Sequence, residues 1–412
     1  MNANIGQLMP SFNKTRHLFP IKDREIFLSH CAVAAMHGAA AGTEREITRR
    51  HSQEGNSFFS QYGAILAEFR QAAGGMLNTS ADNIAFITNT AQAMNMIALG
   101  YPFESGDQII SYQHEYPSNH YPWRLPALAD KAELVLLGNT DENGTPIEDD
   151  RPVAWSMEEL ERKTTSRTRI VAISHVQFTS GFAADLPRLG AFCRERNIDL
   201  IVDAAQSLGC LPLDPEACGV AAMAASGWKW LMGPVGSGVM YVSPQLREKL
   251  AIAMVGVDTM QHGARADYLN RDWSPVEEAR RLEFSTQPVS LVAGLRAAIE
   301  RGPLEYGNQA IADEMFAMQG RLLASIDSWN PFRLLKFPAS HRSGIVSLTH
   351  DGTPAERKIA LRKLQKSLLA AGVNVTVRGG YLRLAPHYPN TLEEIGQATE
   401  VLRKALQTFT TQ

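Results

Sequence analysis

From about residue 84 to residue 245, short apolar runs alternate with amphipathic helical stretches. Ile84–Thr88 reads as a strand and Thr90–Leu99 as a helix. Gln108–Tyr112 and Glu133–Leu137 read as two further strands, and the apolar run Arg169–Ser174 follows. A helix is then predicted over Leu186–Arg196, and the run Asp199–Val202 after it. Strands alternating with helices specify a largely parallel α/β sheet. Such sheets place ligands beyond the carboxyl ends of their strands.

From about Asn330 the pattern changes to a compact α+β unit. Gly344–Leu348 reads as a strand. Thr353-Pro354-Ala355-Glu356 offers a capping box with proline at the first helical position, for a helix stopping near Gly372. Two short strands are expected within Val373–Leu384, and a last helix from the Thr391-Leu-Glu-Glu394 box to about Leu406. The segment Asp141–Arg151, rich in Asp, Glu and Pro, reads as a surface loop.

A chain of 412 residues is too long for one simple core, so two domains are expected. A net charge of −3 supplies no basic field for nucleic acid and no polybasic membrane patch, so neither partner is expected. The cysteines Cys31, Cys193, Cys210 and Cys218 are scattered without a C-x-x-C pair, so neither structural zinc nor a redox dithiol is signalled, and no metal is expected in the site. Met1–Pro20 lacks an apolar signal core, and no run is long enough to span a bilayer. The expectation is a cytoplasmic protein.

The chemistry concentrates in Ile201-Val-Asp-Ala-Ala-Gln-Ser-Leu-Gly209 and, after a short insert expected to be helical, Ser226-Gly-Trp-Lys-Trp-Leu-Met-Gly-Pro-Val-Gly-Ser-Gly238. An acid ends a buried strand, and a lysine then precedes a glycine-rich turn. That turn runs into Val239-Met-Tyr-Val242, a strand. A dinucleotide fingerprint or a P-loop needs a helix after its glycines, so both nucleotide readings fail.

The order of these parts resembles that of the class V aminotransferase family, which includes cysteine desulfurases, selenocysteine lyases, isopenicillin N epimerase-like proteins and kynureninases. The resemblance extends over nearly the whole chain. It implies the α/β fold of PLP-dependent transferases of fold type I, with pyridoxal 5′-phosphate (PLP) as cofactor. The large domain, with a mainly parallel mixed sheet, would span 31–295, and a small α+β domain 296–412. Residues 1–30 would form an N-terminal segment joining the small domain.

Residue by residue, the resemblance makes Lys229 the covalent Schiff-base anchor and Asp203 the partner of the pyridinium nitrogen. Gln206 would reach the ring's phenolic oxygen. Thr90 and Ala91, in Asn89-Thr-Ala-Gln92 at a helix start, would hold the phosphate, where free N–H groups and the helix dipole favour an anion. Without the resemblance, Thr90 reads as a plain N-cap. Ser226 is similar to a second phosphate contact. The family often has histidine immediately before the lysine, and here Trp228 stands instead. In Gln113-His-Glu-Tyr-Pro-Ser-Asn-His-Tyr-Pro-Trp123, Tyr116 would stack on the ring, with His114 as second choice. His175 and Gln177, in Ser174-His-Val-Gln177, would lie beneath or beside it. Tyr116 and His175 would also serve in proton transfer.

Arg383 matches the arginine that clamps the substrate α-carboxylate, with Arg378 as second candidate. The segment Ser29-His30-Cys-Ala-Val33 resembles one lining the substrate entrance, which makes His30 a substrate contact. Glu283-Phe-Ser-Thr286-Gln-Pro288 resembles the segment whose threonine reaches the neighbouring subunit's phosphate. Thr286 in that role implies a homodimer with shared active sites.

Cysteine desulfurases carry a nucleophilic cysteine on a loop between the two C-terminal arginine positions. Here only Gly-Gly-Tyr-Leu separates Arg378 from Arg383, and no cysteine follows Cys218. A small buried thiol is the plain reading of Cys31. The resemblance therefore favours a lyase cleaving a β-substituent, C–S lyase-like, from an α-amino acid, with Lys229 as anchor and general base. An aminotransferase or amino-acid epimerase is the alternative within the family. A non-catalytic PLP-binding protein is the alternative outside catalysis.

Overall fold

The computed structural model describes residues 11–261, 269, 271–324, 326 and 329–410. The first ten residues of the polar N-terminal stretch lie outside the described residues.

The chain opens with β1 (Ile26–Phe27), followed by α1 (Gly38–Glu54) and α2 (Tyr62–Leu77). Next come β2 (Ile84–Ile87), α3 (Thr90–Gly100), β3 (Asp107–Tyr112), α4 (Tyr121–Leu128) and β4 (Ala132–Leu137). After α5 (Met157–Lys163) follow β5 (Thr168–Ser174), α6 (Leu186–Glu195), β6 (Asp199–Asp203), β7 (Ala222–Ser226) and β8 (Gly238–Val242). The helices α7 (Pro244–Lys249), α8 (Val289–Ile299) and α9 (Asn308–Ala324) lead to β9 (Phe332–Leu334) and β10 (Val346–His350). The chain then forms α10 (Pro354–Ala370), β11 (Val373–Asn374), β12 (Thr376–Arg378), β13 (Tyr381–Leu384) and α11 (Leu392–Thr410).

Seven strands form one sheet in the order β2-β8-β7-β6-β5-β3-β4. Only β8 runs against its neighbours, pairing antiparallel with both β7 and β2. The remaining pairs, such as β5 with β6, are parallel. The sheet is apolar on both faces, as the uniformly buried β2, β7 and β8 require. One face carries Phe69, Phe86, Val202, Val239 and Leu295, and the other Ile87, Ile97, Trp123, Ile201 and Met240. Four further strands form an antiparallel sheet in the order β12-β13-β10-β9, covered by α10 and α11 around Leu361, Leu382 and Leu402. In the N-terminal segment, β1 pairs parallel with β11, and Leu28 sits in this second core.

Several expectations need correction. The insert between Gly209 and Ser226 contains turns and the strand β7, and no helix. Ala222-Met-Ala-Ala-Ser226 lacks the β-branched and aromatic residues that mark strands, and it is held by its neighbours β6 and β8. The strand expected at Gly344–Leu348 begins two residues later, at Val346. Val373–Leu384 holds three strands rather than two, and the last helix continues to Thr410. The capping box of α10 forms as expected, with Thr353 and Glu356 bonded reciprocally.

Candidate active site

The carboxyl ends of β2, β5, β6 and β7 open on one edge of the large sheet, and the site is assembled there. Because β7 and β8 are antiparallel neighbours, the Gly227–Ser237 connection returns over this same edge and carries Lys229 with it.

Asp203 ends β6, buried, and its Oδ1 accepts from the N–H of Ala205 at 2.9 Å. Burial pushes its carboxyl above the ordinary range, while Lys229 and the Ala205 bond pull it down. Lys229 feels the reverse. Burial lowers its ammonium first, Asp203 raises it, Arg383 lowers it further, and Cys31 raises it. Lys229 Nζ lies 5.5 Å from the centroid of the Tyr116 ring. Tyr116 is 42% exposed and its ring stands at right angles to that of Phe178, with centroids 5.1 Å apart. His114 turns instead toward Tyr112, edge to face.

Thr90 opens α3 just past β2 and Ser226 ends β7, yet their hydroxyl oxygens are 3.1 Å apart. Asn89, not Thr90, is the N-cap of α3: its side chain accepts from Gln92 N–H, while Thr90 is the first helical residue. That corrects the plain-cap reading of Thr90. The N–H groups of Thr90 and Ala91 are left as orphan donors of the helix, beside two hydroxyls. Such an arrangement receives an anion.

His175 and Gln177 follow β5 and are buried, with His175 Nδ1 and Gln177 Oε1 lacking partners. Burial lowers His175 to about 4, so its ring is neutral at neutral pH. Gln206 is engaged at both ends: Nε2 donates to the carbonyl of Cys31 at 2.9 Å, and Oε1 accepts from the Trp230 indole at 3.1 Å. Its second N–H and the second lone pair of Oε1 remain for a ligand. Arg383, at the centre of β13, is 2% exposed. Its Nη1 donates to the Phe178 carbonyl and its Nη2 to Thr376 Oγ1, while Nε is buried without a partner. The guanidinium is thus fixed in plane with three of its five N–H groups uncommitted.

Three expected residues stand apart from this cluster. Arg378 is exposed at the end of the edge strand β12. His30 is packed rather than open. Its Nδ1 bonds the Ala385 carbonyl at 3.0 Å, its ring stacks on Trp230 and meets His387 edge-on, and burial lowers its pKa to about 4. Thr286 is exposed beyond the turn Ala279–Glu283, with no described contact to Thr90 or Ser226 in its own chain.

Two neighbours to which the sequence assigned no site role also border the cluster. Cys31 places Sγ 3.9 Å from Thr376 Oγ1, the group that holds Arg383. Glu115 is a buried carboxylate joined to Ser174 and Gln177. Its only signal was an acid next to the aromatic residue Tyr116, which a surface loop shows just as readily. Among the described residues no group of three or more His, Cys, Asp or Glu could hold a metal ion.

PLP needs an amine, an acid facing a ring nitrogen, a flat wall and an anion seat. These residues offer all four, and unpartnered buried atoms at His175, Gln177 and Arg383 face no competing protein partner.

Known proteins resemble this chain in sequence and fold. A probable cysteine desulfurase of Methanothermobacter thermautotrophicus is 27% identical over 364 residues, covering 82% of this chain and 83% of the relative. Cysteine desulfurase CsdA of Escherichia coli is 27% identical over 415 residues, covering 95% and 97%. Among solved structures, the apo cysteine desulfurase of Thermococcus onnurineus has a TM-score of 0.82 at 20% identity, covering 97% of this chain and 100% of that one. The cystine C–S lyase C-DES with its product cysteine persulfide gives 0.81 at 20%, covering 94% and 99%, and these structures speak to the fold. The model of the aminotransferase class-V family matches residues 39–397. With that match spanning both sheets and the lysine between them, the chain belongs to the class-V aminotransferase family of PLP-dependent enzymes.

Proposed function

We propose that this protein is a PLP-dependent lyase that removes a sulfur-linked β-substituent from an α-amino acid. The observation that carries it is the burial of Lys229 within electrostatic reach of both Asp203 and Arg383, themselves buried. The curated relatives named cysteine desulfurases support a sulfur amino acid as substrate.

When bound, PLP supplies an electron sink for charge developing at the substrate's α-carbon. Thr90, Ala91 and Ser226 would hold its phosphate, Asp203 its ring nitrogen and Lys229 its carbonyl carbon. Tyr116 would cover one face, with Gln177, His175 and the free N–H of Gln206 at its edge or beneath. Arg383, already anchored by Phe178 and Thr376, offers its remaining N–H groups to the substrate carboxylate. That orients the α-hydrogen toward Lys229. Burial depresses the lysine's pKa, so more of the free amine is present as base near neutral pH to take that proton.

The turn between β12 and β13 argues against a chain-borne sulfur carrier there. It consists of Gly379 and Gly380, both at positive φ, packed against Thr179 and Arg151. With no cysteine after Cys218, the sulfur product would leave as a small molecule.

The exposed Thr286 fits a homodimer in which it reaches the partner's phosphate site. Residues 31–295 would be the large domain and 296–412 the small one, with residues 1–30 joining the latter, as the pairing of β1 with β11 supports. No helix among the described residues is long and apolar enough to cross a membrane.

The test is direct. Protein incubated with PLP should gain a visible absorption band that Lys229→Ala loses. Cysteine or cystine should then yield pyruvate and ammonia. Protein that takes up no cofactor, or that only transfers amino groups to keto acids, refutes the reading.

A further inference from the structure

The strongest unused group is Glu115. It is 6% exposed, sits between the end of β3 and the Tyr116 ring, and has no role in the chemistry above. Its Oε1 accepts from Ser174 N–H at 2.8 Å and from Gln177 Nε2 at 2.9 Å, and its Oε2 accepts from Ser174 Oγ. Three donors converge on one carboxylate, all from the end of β5. The register explains the meeting: Ser111 of β3 pairs with Ala172, so β5 is still extended at Ser174 where the chain after β3 has turned into the loop.

We propose that Glu115 is a positioning residue that ties the Tyr116 loop to the end of β5 and fixes which way the Gln177 amide faces. Because Gln177 Nε2 donates to the carboxylate, its Oε1 turns away and remains a buried acceptor without a protein partner. An ionised Glu115 therefore presents a carbonyl oxygen to the site rather than an amide N–H. The same carboxylate holds the residue immediately before the ring that stands over Lys229 Nζ. One side chain thus sets a wall and an edge of the site together. Asp203 is the charged group facing it from β6, and Tyr112 the phenol facing it from β3. Burial pushes the Glu115 carboxyl up to about 7, with the Ser174 and Gln177 donors and the Asp203 charge modifying that shift.

The inference rests on the PLP reading for its functional consequence, but its structural half is testable without cofactor. Glu115→Ala and Glu115→Gln are compared with the parent in the full-length chain. Amide hydrogen exchange across residues 113–123, measured without PLP, should accelerate in Glu115→Ala and stay near the parent rate in Glu115→Gln, which keeps an acceptor for Ser174 N–H. With PLP, Glu115→Ala should shift the visible absorption band and lower kcat on the order of 10²-fold with little change in KM, as misplaced reacting groups do. Titration of Glu115 in the parent should give the band an inflection near neutral pH, and Glu115→Gln should lack it. In a Gln177→Ala background, Glu115→Ala should cost less than in the parent, because only the Ser174 tether of the Tyr116 loop is then left to cut. Unchanged loop exchange in Glu115→Ala overturns the proposal. So does a variant that melts at lower temperature yet keeps the parent band, kcat and pH profile. A parent protein that binds no PLP while the loop still loosens in Glu115→Ala would refute the cofactor reading and leave the tether standing.

Discussion

The edge of the large sheet offers a quantitative test. Glu283 is nearly sealed, and its Oε2 lies 2.7 Å from Arg70 Nη1 of α2, with 14% of the arginine side chain and 4% of the glutamate side chain exposed. Its other oxygen accepts from Phe86 N–H at 3.0 Å, the outward-facing donor of the edge strand β2. Burial raises the Glu283 carboxyl, and Arg70 opposes that rise most strongly. Arg70→Ala removes the partner of a buried charge, which costs about 3–5 kcal/mol. The sign with pH follows from the raised pKa. The charged form is disfavoured in the folded state, so the loss is complete above the variant's folded pKa. It shrinks as pH falls toward the unfolded value, where Glu283 is protonated in both states. Urea unfolding of parent and variant near pH 8 and near pH 5 reads this as a shift in midpoint at constant slope. The double variant Arg70→Met with Glu283→Gln keeps the acceptor for Phe86 and should regain most of the loss. A deficit below about 1 kcal/mol, or one equal at both pH values, would show that the pair is not an enclosed charge clamp.

The two arginines should separate cleanly. Arg383→Lys cannot hold Phe178, Thr376 and a carboxylate at once, and should lower kcat/KM on the order of 10²-fold. Arg378→Ala, at an exposed strand end, should leave steady-state kinetics near the parent; a large loss there would reverse the assignment. Trp230→Phe leaves Gln206 Oε1 buried without its donor, so stability measured by thermal melting should fall by about 1–3 kcal/mol. An unchanged melt would mean that another donor replaces the indole.

Legibility followed local pattern. The capping box at Thr353 and the runs ending at Ser174 and Asp203 carry strong local signals, and the structure keeps them within a residue or two. β7 was invisible because Ala and Met have no strand preference of their own, and two flanking strands supply what the residues lack. In the site, Lys229 and Asp203 were marked by their company in the sequence. What could not be read was relative depth. Arg378 and Arg383 look alike on the page, but one ends an edge strand and the other is central in its sheet. His30 was expected at an open entrance, and the aromatic rings that enclose it, Phe27, Trp230 and His387, come from three separate parts of the chain. Glu115 depends on the register between β3 and β5, which no local pattern encodes.

The reversed strand β8 also has a consequence in time. Ile84-Ala-Phe-Ile87 has β8 as its one strand neighbour in the sheet, and β8 begins at Gly238, 151 residues after Ile87. At synthesis rates of roughly 5–20 residues per second, that apolar segment waits about 8–30 s for its partner. Parallel pairs such as β5 with β6 can form sooner, since only 24 residues separate Ser174 from Asp199. The end of the site formed by Thr90 and Ser226 should therefore be among the last parts of the large sheet to close as the chain emerges.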